Sequence, residues 1–357
     1  MFGKLMNNYY YGKSGKGDYT KNDLPKNRKQ LFFEMLRIRL SALCRLNMMT
    51  TLTYLPLIIL LTVCLTTYIQ GVNQYLTMQD TLNAAGIVLD GTTLSDETLN
   101  EITEIFAAAE YTPEVIDWFL KFSISDFNRG LIWQLVLFSI PCILITGPVE
   151  TGLAYITRNW ARDEHAFIWS DFKDAVKENW KQGLGVSAIT SVVPVMIYVC
   201  WTFYGGMAET NGLFFIVPQI LVLMLGVLWS LGTLYMYPLI VTYKLRFGQL
   251  LRNGLMLGMG RLPQTAGIRL LALVPTLILF MLLLFTSIGM YAIIVWMLYY
   301  VIIGVALSRF VNASLANAVF DRFINPRIEG ARVNQGLNTE TDDEDDEDED
   351  VEPAEQE

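Results

Sequence analysis

The sequence contains few of the side chains that carry out chemistry. It has a single histidine, His165, and only four cysteines among 357 residues. A lone histidine cannot form a catalytic site, and widely spaced cysteines without a Cys-x-x-Cys pair indicate neither a metal site nor a disulfide framework. His-Glu-x-x-His and Gly-x-Ser-x-Gly motifs are also missing from the sequence. We therefore expect no enzymatic activity, no metal and no cofactor.

Charged residues are scarce as well. They make up 17% of the chain, whereas 53% is hydrophobic, and a soluble domain carries about 25% charged residues. This balance predicts a membrane protein, with the lipid bilayer and not a nucleic acid as its environment. The formal net charge of -9 depends on the C-terminus, since 13 of the 35 acidic residues lie in 340–357. Without them, 26 basic and 22 acidic residues leave +4, so the membrane body is mildly basic.

Long apolar runs predict six membrane-spanning helices. A helix needs about 20 apolar residues to cross the hydrocarbon layer, and four runs reach that length. A fifth run, 270–307, would form a rod of about 57 Å as one helix, nearly twice the ~30 Å core. We divide it at Thr286-Ser287-Ile288-Gly289, where turn-compatible residues occur. The spans are then expected at residues 49–69, 131–149, 184–204, 213–241, 270–286 and 290–307.

The distribution of Lys and Arg predicts the orientation of these spans. Basic residues are retained on the cytoplasmic side of a membrane when they lie in short segments near span ends. Residues 71–128 contain Lys121 as their only Lys or Arg, together with ten acidic residues. The basic residues are concentrated in segments 1–48, 158–182, 244–269 and 309–332. Six spans with both termini in the cytoplasm place all four basic segments on that side.

Four segments outside the spans have distinct predicted characters. Residues 1–25 are too polar to bury a core and are expected to be a flexible basic terminus. Residues 26–48 indicate a basic amphipathic helix in the headgroup layer or a solvated basic stem, with equal weight. The outer segment 71–128 is expected to hold two or three short helices, with starts at Ser95 and Thr112, as a cap over the spans or a spacer on lipid. Residues 333–357 form an acidic run that we expect to be disordered in the cytoplasm.

The stretch from 131 to 182 is the most unusual part of the sequence. Its apolar run is broken at Gly147-Pro148 and leads into a charged segment, 158–164, and then an amphipathic segment, 170–182. Glu150 follows the break, and its position predicts a snorkelling or capping role near the cytoplasmic interface, favoured over a place in a polar pocket. The amphipathic segment is expected to lie at the interface, with its lysines extended toward lipid phosphate.

A second segment repeats this order of features. The span 213–241 meets Pro238, and a basic stretch that contains Asn253 then leads to Pro263 and the next span. Two units in the same direction, each with a span, a proline, a basic surface helix and a return span, suggest a parallel repeat. Few residues are identical between them.

The sequence resembles the YesL-like family of bacterial integral membrane proteins, a family with a domain of unknown function. The matching residues are Pro141, Gly147, Thr151, Leu153, Ala154, Tyr155, Arg158, Arg162, Asp163, Glu164, Phe172, Lys177, Asn179, Lys181 and Gln182, and later Tyr237, Pro238, Leu239, Asn253, Leu255 and Pro263. The resemblance implies a multi-pass protein of the bacterial cell membrane that is associated with carbohydrate uptake, often beside sugar ABC transporters. It implies no catalytic residue.

Two functions remain open at this point. The leading hypothesis is an accessory or regulatory protein that docks onto sugar ABC transporter subunits or another membrane protein through the surfaces 158–182 and 244–263. The alternative is a transporter or channel for a small solute, with the breaks at Gly147-Pro148 and Pro238 lining its path. The candidate interface residues are Gly147, Pro148, Glu150, Arg158, Arg162, Asp163, Glu164, Phe172, Lys177, Asn179, Lys181, Pro238, Asn253 and Pro263.

Overall fold

The computed structural model describes residues 25–87, 96–286 and 288–338, and the regular elements in these ranges are helices. The expected flexible N-terminus, the helix start at Ser95, Ser287 and most of the acidic tail lie outside the described residues. The helices are α1 (Arg28–Ala84), α2 (Asp96–Ala108), α3 (Pro113–Lys121), α4 (Ile124–Leu144), α5 (Thr146–Trp160), α6 (Ser170–Asn211), α7 (Ile216–Thr242), α8 (Phe247–Gly260), α9 (Leu262–Phe285), α10 (Gly289–Tyr299) and α11 (Val305–Phe323).

Six helical segments are long and apolar enough to span a membrane, which confirms the prediction of an all-α polytopic membrane protein. They are Arg28–Ala84, Ile124–Leu144, Ser170–Asn211, Leu213–Thr242, Leu262–Leu283 and Tyr291–Arg327. The apolar run 270–307 is divided where the sequence indicated, since α9 ends at Phe285 and α10 begins at Gly289.

The sequence predicted an amphipathic helix at 26–48 and a separate span at 49–69, but the structure joins them in one helix. Helix α1 continues without interruption for 57 residues, about 85 Å at 1.5 Å per residue. Between Arg28 and Pro56 the sequence contains no glycine or proline, so the helical hydrogen bonds continue. The apolar stripe of its first part, including Met35 and Leu46, packs against Trp160 and Phe310. This stripe is buried against protein and does not rest on headgroups.

Helix α6 likewise joins two elements that the sequence separated. The expected interfacial helix 170–182 and the span 184–204 form one helix of 42 residues. The amphipathic segment therefore continues directly into the span and is not a separate interfacial helix. Its apolar side packs on α5, where the ring of Phe172 lies against Gly152.

Helix α5 is the centre of the bundle and was not expected as a separate element. The break falls at Ile145, between α4 and α5, and Pro148 lies in the first turn of α5, where a missing N–H removes no helical hydrogen bond. Helix α5 contacts α1, α4, α6, α7 and α11. Most of its side chains are buried, including polar ones such as Glu150 and Thr157.

Glycines allow α5 and α6 to cross at backbone contact. A Cβ atom on Gly147 would lie 2.4 Å from the Gly183 carbonyl oxygen, and one on Gly183 would lie 2.6 Å from the Gly147 carbonyl oxygen. The Ser187 hydroxyl donates to the Leu144 carbonyl across the same crossing, at 2.9 Å. Small residues of this kind let membrane helices approach closely.

The four basic segments meet at one end of the bundle, which we call the basic end. Arg28 pairs with Asp321 at 2.5 Å, Tyr243 donates to Asn325 at 2.5 Å, and Gln182 donates to the Leu245 carbonyl at 2.8 Å. These contacts join the start of α1, the starts of α6 and α8, and the end of α11.

The outer segment lies at the opposite end, as a small helical cluster. Helix α3 begins after Thr112, as expected. Ile102 and Phe106 of α2 and Ile116 and Phe119 of α3 pack with the end of α1 around Met78. The ring of Tyr75 stacks on Phe119 with centroids 5.2 Å apart. The two short helices thus pack together and onto an extension of the first span.

A short π-helical segment, Tyr300–Gly304, connects α10 to α11. Such a segment disturbs the helical hydrogen bonds and leaves carbonyl groups in need of donors. Asn47 on α1 supplies them: its side-chain amide donates to the carbonyls of Tyr300 and Val301 at 2.9 and 2.8 Å, and its oxygen accepts from the Ala306 amide at 2.8 Å. Thr51, one turn further along α1, also donates to the Val301 carbonyl, at 3.0 Å, so two side chains of α1 hold the start of α11.

Candidate functional site

A buried ion pair between Glu150 and Arg309 lies in the interior of the bundle. Glu150 comes from α5 and is 3% exposed, and Arg309 comes from α11. The guanidinium donates to both carboxylate oxygens, from Nε and from Nη2. A bidentate pair of this type fixes the orientation of both side chains as well as their distance.

Three more polar side chains from three other helices surround this pair. Tyr54 of α1, Tyr237 of α7 and Arg269 of α9 line the same cavity as Glu150 and Arg309. Arg269 donates to the Ser230 carbonyl and, at 2.9 Å, to the Thr233 hydroxyl. Five helices that are distant in sequence therefore contribute to one polar cluster. We call Tyr54, Glu150, Tyr237, Arg269 and Arg309 the buried charge cluster.

The buried charge cluster borders two cavities. The first cavity, of about 420 Å³, is lined by α5, α6 and α7 along with the cluster. The second cavity, of about 730 Å³, lies among α1, α4, α9, α10 and α11. Tyr54, Leu57, Arg269 and Arg309 line both. Arg309 keeps 27% of its side chain exposed, so its charge faces open space as well as Glu150.

Both volumes fall within the roughly 300–1,000 Å³ that is typical of small-molecule sites. Charged side chains in the spans of a membrane protein are rare, and they mark substrate or ion pathways in many cases. The arrangement is chemically suited to binding a small solute by charge and hydrogen bonds. Across residues 25–87, 96–286 and 288–338, no group of three His, Cys, Asp or Glu side chains is arranged to hold a metal ion.

Glu150 corrects an expectation from the sequence. Its place in the apolar run indicated a snorkelling or capping role near the interface, but it is buried and paired with Arg309. The reason is that α5 continues for ten residues beyond Glu150 and is covered on all sides, so the end of the apolar run does not mark the surface.

Most of the charged motif at 158–164 holds the basic end together. Arg158 donates to the Val241 carbonyl at 2.9 Å and lies 3.8 Å from Glu164. Burial lowers the pKa of Arg158, and the nearby Glu164 carboxylate opposes that shift. Arg162 lies 3.6 Å from Glu164 and donates to Gln335 at 2.6 Å. These residues attach α5 to the end of α7 and to the segment after α11.

Asp163 has a local backbone role in the same motif. Its φ of 60° is in the left-handed region, which Asp tolerates better than most residues, and there the chain leaves the end of α5. The side chain itself is exposed. The nearby protein atoms still shield it partly from water, and this partial desolvation raises the pKa of the carboxyl, whereas the Arg39 charge opposes that shift.

The structure brings the other predicted interface residues to different places. Pro238 is buried and lines the first cavity. Gly147 is at the α5–α6 crossing, and Asn179 donates within its own helix to Ala175. Pro148, Phe172 and Asn253 are half-buried. Of the fourteen residues, those with exposed side chains are Asp163, Lys177, Lys181 and Pro263.

The sequence reasoning missed Tyr54, Tyr237, Arg269 and Arg309. The two arginines were counted with the basic segments, since each lies at the edge of an apolar run. Their helices extend beyond those runs, α9 back to Leu262 and α11 on to Phe323, which brings both arginines inside the bundle. The sequence does contain an indication of this burial, because an arginine with apolar residues one helical turn away on both sides is a candidate for burial.

The fold and the buried charge cluster define a multi-pass helical membrane protein with a polar site in its interior. Residues 130–201 match the family described as "Protein of unknown function, DUF624", in agreement with the resemblance noted for this stretch. The match covers α4, α5 and most of α6 and includes Glu150, but it ends before Arg269 and Arg309. No curated protein and no solved structure matches this chain.

Glu150→Gln tests the ion pair. The substitution keeps the shape of the side chain but leaves the Arg309 charge buried without a counterion, so we expect a loss of about 3–5 kcal/mol in stability. Glu164→Gln is the matched control, because its ion pairs are longer and closer to the surface, where such pairs contribute about 0–1 kcal/mol. Thermal unfolding of the purified proteins in mild detergent measures both. Equal losses for the two variants would contradict the buried pair.

Proposed function

We propose that this chain is a transporter or channel for a small solute and that it binds this solute at the buried charge cluster. The observation that carries the proposal is the Glu150–Arg309 pair in the interior of a six-span bundle, beside two cavities that share Arg269 and Arg309. A charged group in a membrane interior is costly unless it is paired or used. In this proposal the protein binds the solute and lets it pass through the membrane, and it carries out no chemical reaction.

The walls of the first cavity support this proposal. Thr146, at the start of α5, and Pro238 both border it, whereas Gly147 and Pro148, which were also expected to line a path, are not among its lining residues. Pro238 lies inside α7, which continues past it to Thr242.

Transport by purified protein in liposomes tests the proposal. We expect faster entry of at least one labelled sugar, organic acid or inorganic ion than into protein-free liposomes. Val193→Trp should reduce this entry to background, because Val193 lines the first cavity and the larger ring fills it.

Val192→Trp is the matched control, since the neighbouring Val192 is exposed on the outside of the same helix. It should transport like the unmodified protein. Absence of transport for every solute in the panel would contradict the proposal, as would full activity of Val193→Trp.

The second proposed function is that of an accessory or regulatory component of a carbohydrate uptake system. The observation that favours it is that the two predicted docking segments lie side by side: Gln182 donates to the Leu245 carbonyl, and Gly185 packs against the ring of Phe247. Lys177, Lys181 and Arg252 are exposed there, as are Asp174 and Glu178, so this surface offers charges of both signs to a partner. In this proposal the protein lies in the bacterial cell membrane, with both termini and the basic end in the cytoplasm.

Affinity purification in mild detergent tests the accessory role. We expect sugar ABC transporter subunits or another membrane protein to copurify, and we expect Lys177→Glu combined with Lys181→Glu to remove them by charge repulsion. Lys121→Glu, an exposed change at the opposite end, is the control and should leave recovery unchanged. Recovery that is equal for all three proteins, or no membrane partner with the unmodified chain, would contradict this role.

A further inference from the structure

The buried charge cluster carries an unbalanced positive charge. Both carboxylate oxygens of Glu150 accept from Arg309, whereas Arg269 donates only to the neutral oxygens of Ser230 and Thr233. In the described part of the chain, no acidic side chain other than Glu150 lines either cavity. Two arginines and one glutamate leave a net charge of +1.

Arg269 also has an unused hydrogen-bond donor. Its Nε atom is buried and has no hydrogen-bond partner among the described residues. A buried charged group with unsatisfied donors is costly. An anion of charge -1 beside Arg269 would balance the cluster, and a carboxylate accepts from a guanidinium in a planar, two-point geometry.

The second cavity extends from this charge as an apolar space. Apart from Arg269 and Arg309, its lining is largely aliphatic and aromatic, with Leu61, Leu65, Leu135 and Phe280 as examples. Along α1 the lining runs from Tyr54 to Tyr68, a rise of about 21 Å for fourteen residues. One leaflet of the ~30 Å hydrocarbon core is about 15 Å deep, so the cavity is long enough for one acyl chain.

The shape of the second cavity fits a ligand with one long chain better than two short groups. Leu65 and Leu279, which line the cavity, pack with Ile69 and Ile293. The cavity has a charged end at Arg269 and Arg309, a largely aliphatic middle, and a far end where Tyr68 and Asn128 lie. A ligand that matches the charged end and the aliphatic middle is a linear molecule with one anionic group and one apolar chain.

We propose that the second cavity binds a single-chain amphipathic carboxylate, with its carboxylate on Arg269 and its chain between α1, α4 and α9. A phosphate monoester is disfavoured, because its charge of nearly -2 would reverse the sign of the cluster. The proposal rests on the proposed transporter function and names the class of its solute.

Cys64 provides a native probe for this proposal, because it lines the second cavity. Full-length protein in phosphatidylcholine nanodiscs is treated with an alkylating reagent, and the modification of each cysteine is followed by mass spectrometry. Laurate is expected to slow the alkylation of Cys64 roughly tenfold at about ten times its Kd. Cys142 and Cys200, which line neither cavity, should react at unchanged rates.

Dodecanol and acetate separate the two parts of the ligand. Dodecanol has the chain without the charge, and we expect at least about tenfold more of it to be needed for equal protection, since its hydroxyl lacks the negative charge and can replace only one of the two hydrogen bonds. Acetate has the charge without the chain and should not protect Cys64. Equal protection by laurate and dodecanol, protection by acetate alone, or no protection by laurate would each overturn the proposal.

Substitutions of Arg269 and Arg261 test which charge causes the preference for laurate over dodecanol. Arg269→Gln should remove the preference for laurate over dodecanol, Arg269→Lys should keep part of it, and Arg261→Gln, at the start of the same helix, should leave it intact. If Arg269→Gln does not fold, the unmodified chain gives the same answer through its thermal midpoint, which laurate should raise more than dodecanol. Binding is measured here independently of transport. Protection of Cys64 without uptake into liposomes would reject the transporter function and keep the binding site. Uptake without protection of Cys64 would reject the binding site alone.

Discussion

The interaction on which the structure depends is the ion pair between Glu150 and Arg309. Taking both charges out of water costs several kcal/mol for each ion, and only close, well-oriented hydrogen bonds recover it. Glu150 lies on α5 and Arg309 on α11, and the two residues are 159 positions apart in the chain. Their pairing requires both helices to be held in place by the rest of the bundle, and most of the unusual features of the fold serve that requirement.

Two features position the pair from opposite sides. On the side of Glu150, Gly147 and Gly183 bring α5 against α6 at backbone distance, so α5 can be covered completely. On the side of Arg309, the π-helical segment directly precedes α11, and Asn47 donates to the carbonyls of Tyr300 and Val301. A site built on rigid, tightly packed helices holds its charges in one geometry before any ligand arrives.

The polar network at the basic end is separate from this site. Arg158, Arg162 and Glu164 tie the end of α5 to its neighbours, and Asp321 holds Arg28 and Asn334. Burial, together with the nearby Asp321 carboxylate, raises the pKa of Tyr243 to about 12. The hydroxyl of this tyrosine donates to Asn325. The charged motif that stood out in the sequence thus closes one end of the bundle, while the charges that face the cavities lie deeper.

Sequence patterns predicted the parts of this fold that depend on local composition. The six spans, the break before Gly289 and the helix start after Thr112 all follow from residues that are close together in the sequence. The continuity of α1 and α6 was missed, because a change from polar to apolar residues marks a change of environment and does not end a helix. The burial of Arg269 and Arg309 was missed because it depends on which helices lie around them. That information is carried by long-range packing, and one sequence does not display it.

Exchange of the two charges tests the central claim most directly. Glu150→Arg alone and Arg309→Glu alone would each place like charges together in the interior, and both should lower the thermal midpoint sharply. The protein that carries both exchanges restores one positive and one negative charge at the same contact. The account predicts that the double exchange recovers a large part of the stability lost in either single variant. A double variant less stable than both single variants would show that the two side chains do not depend on each other, and would contradict the account.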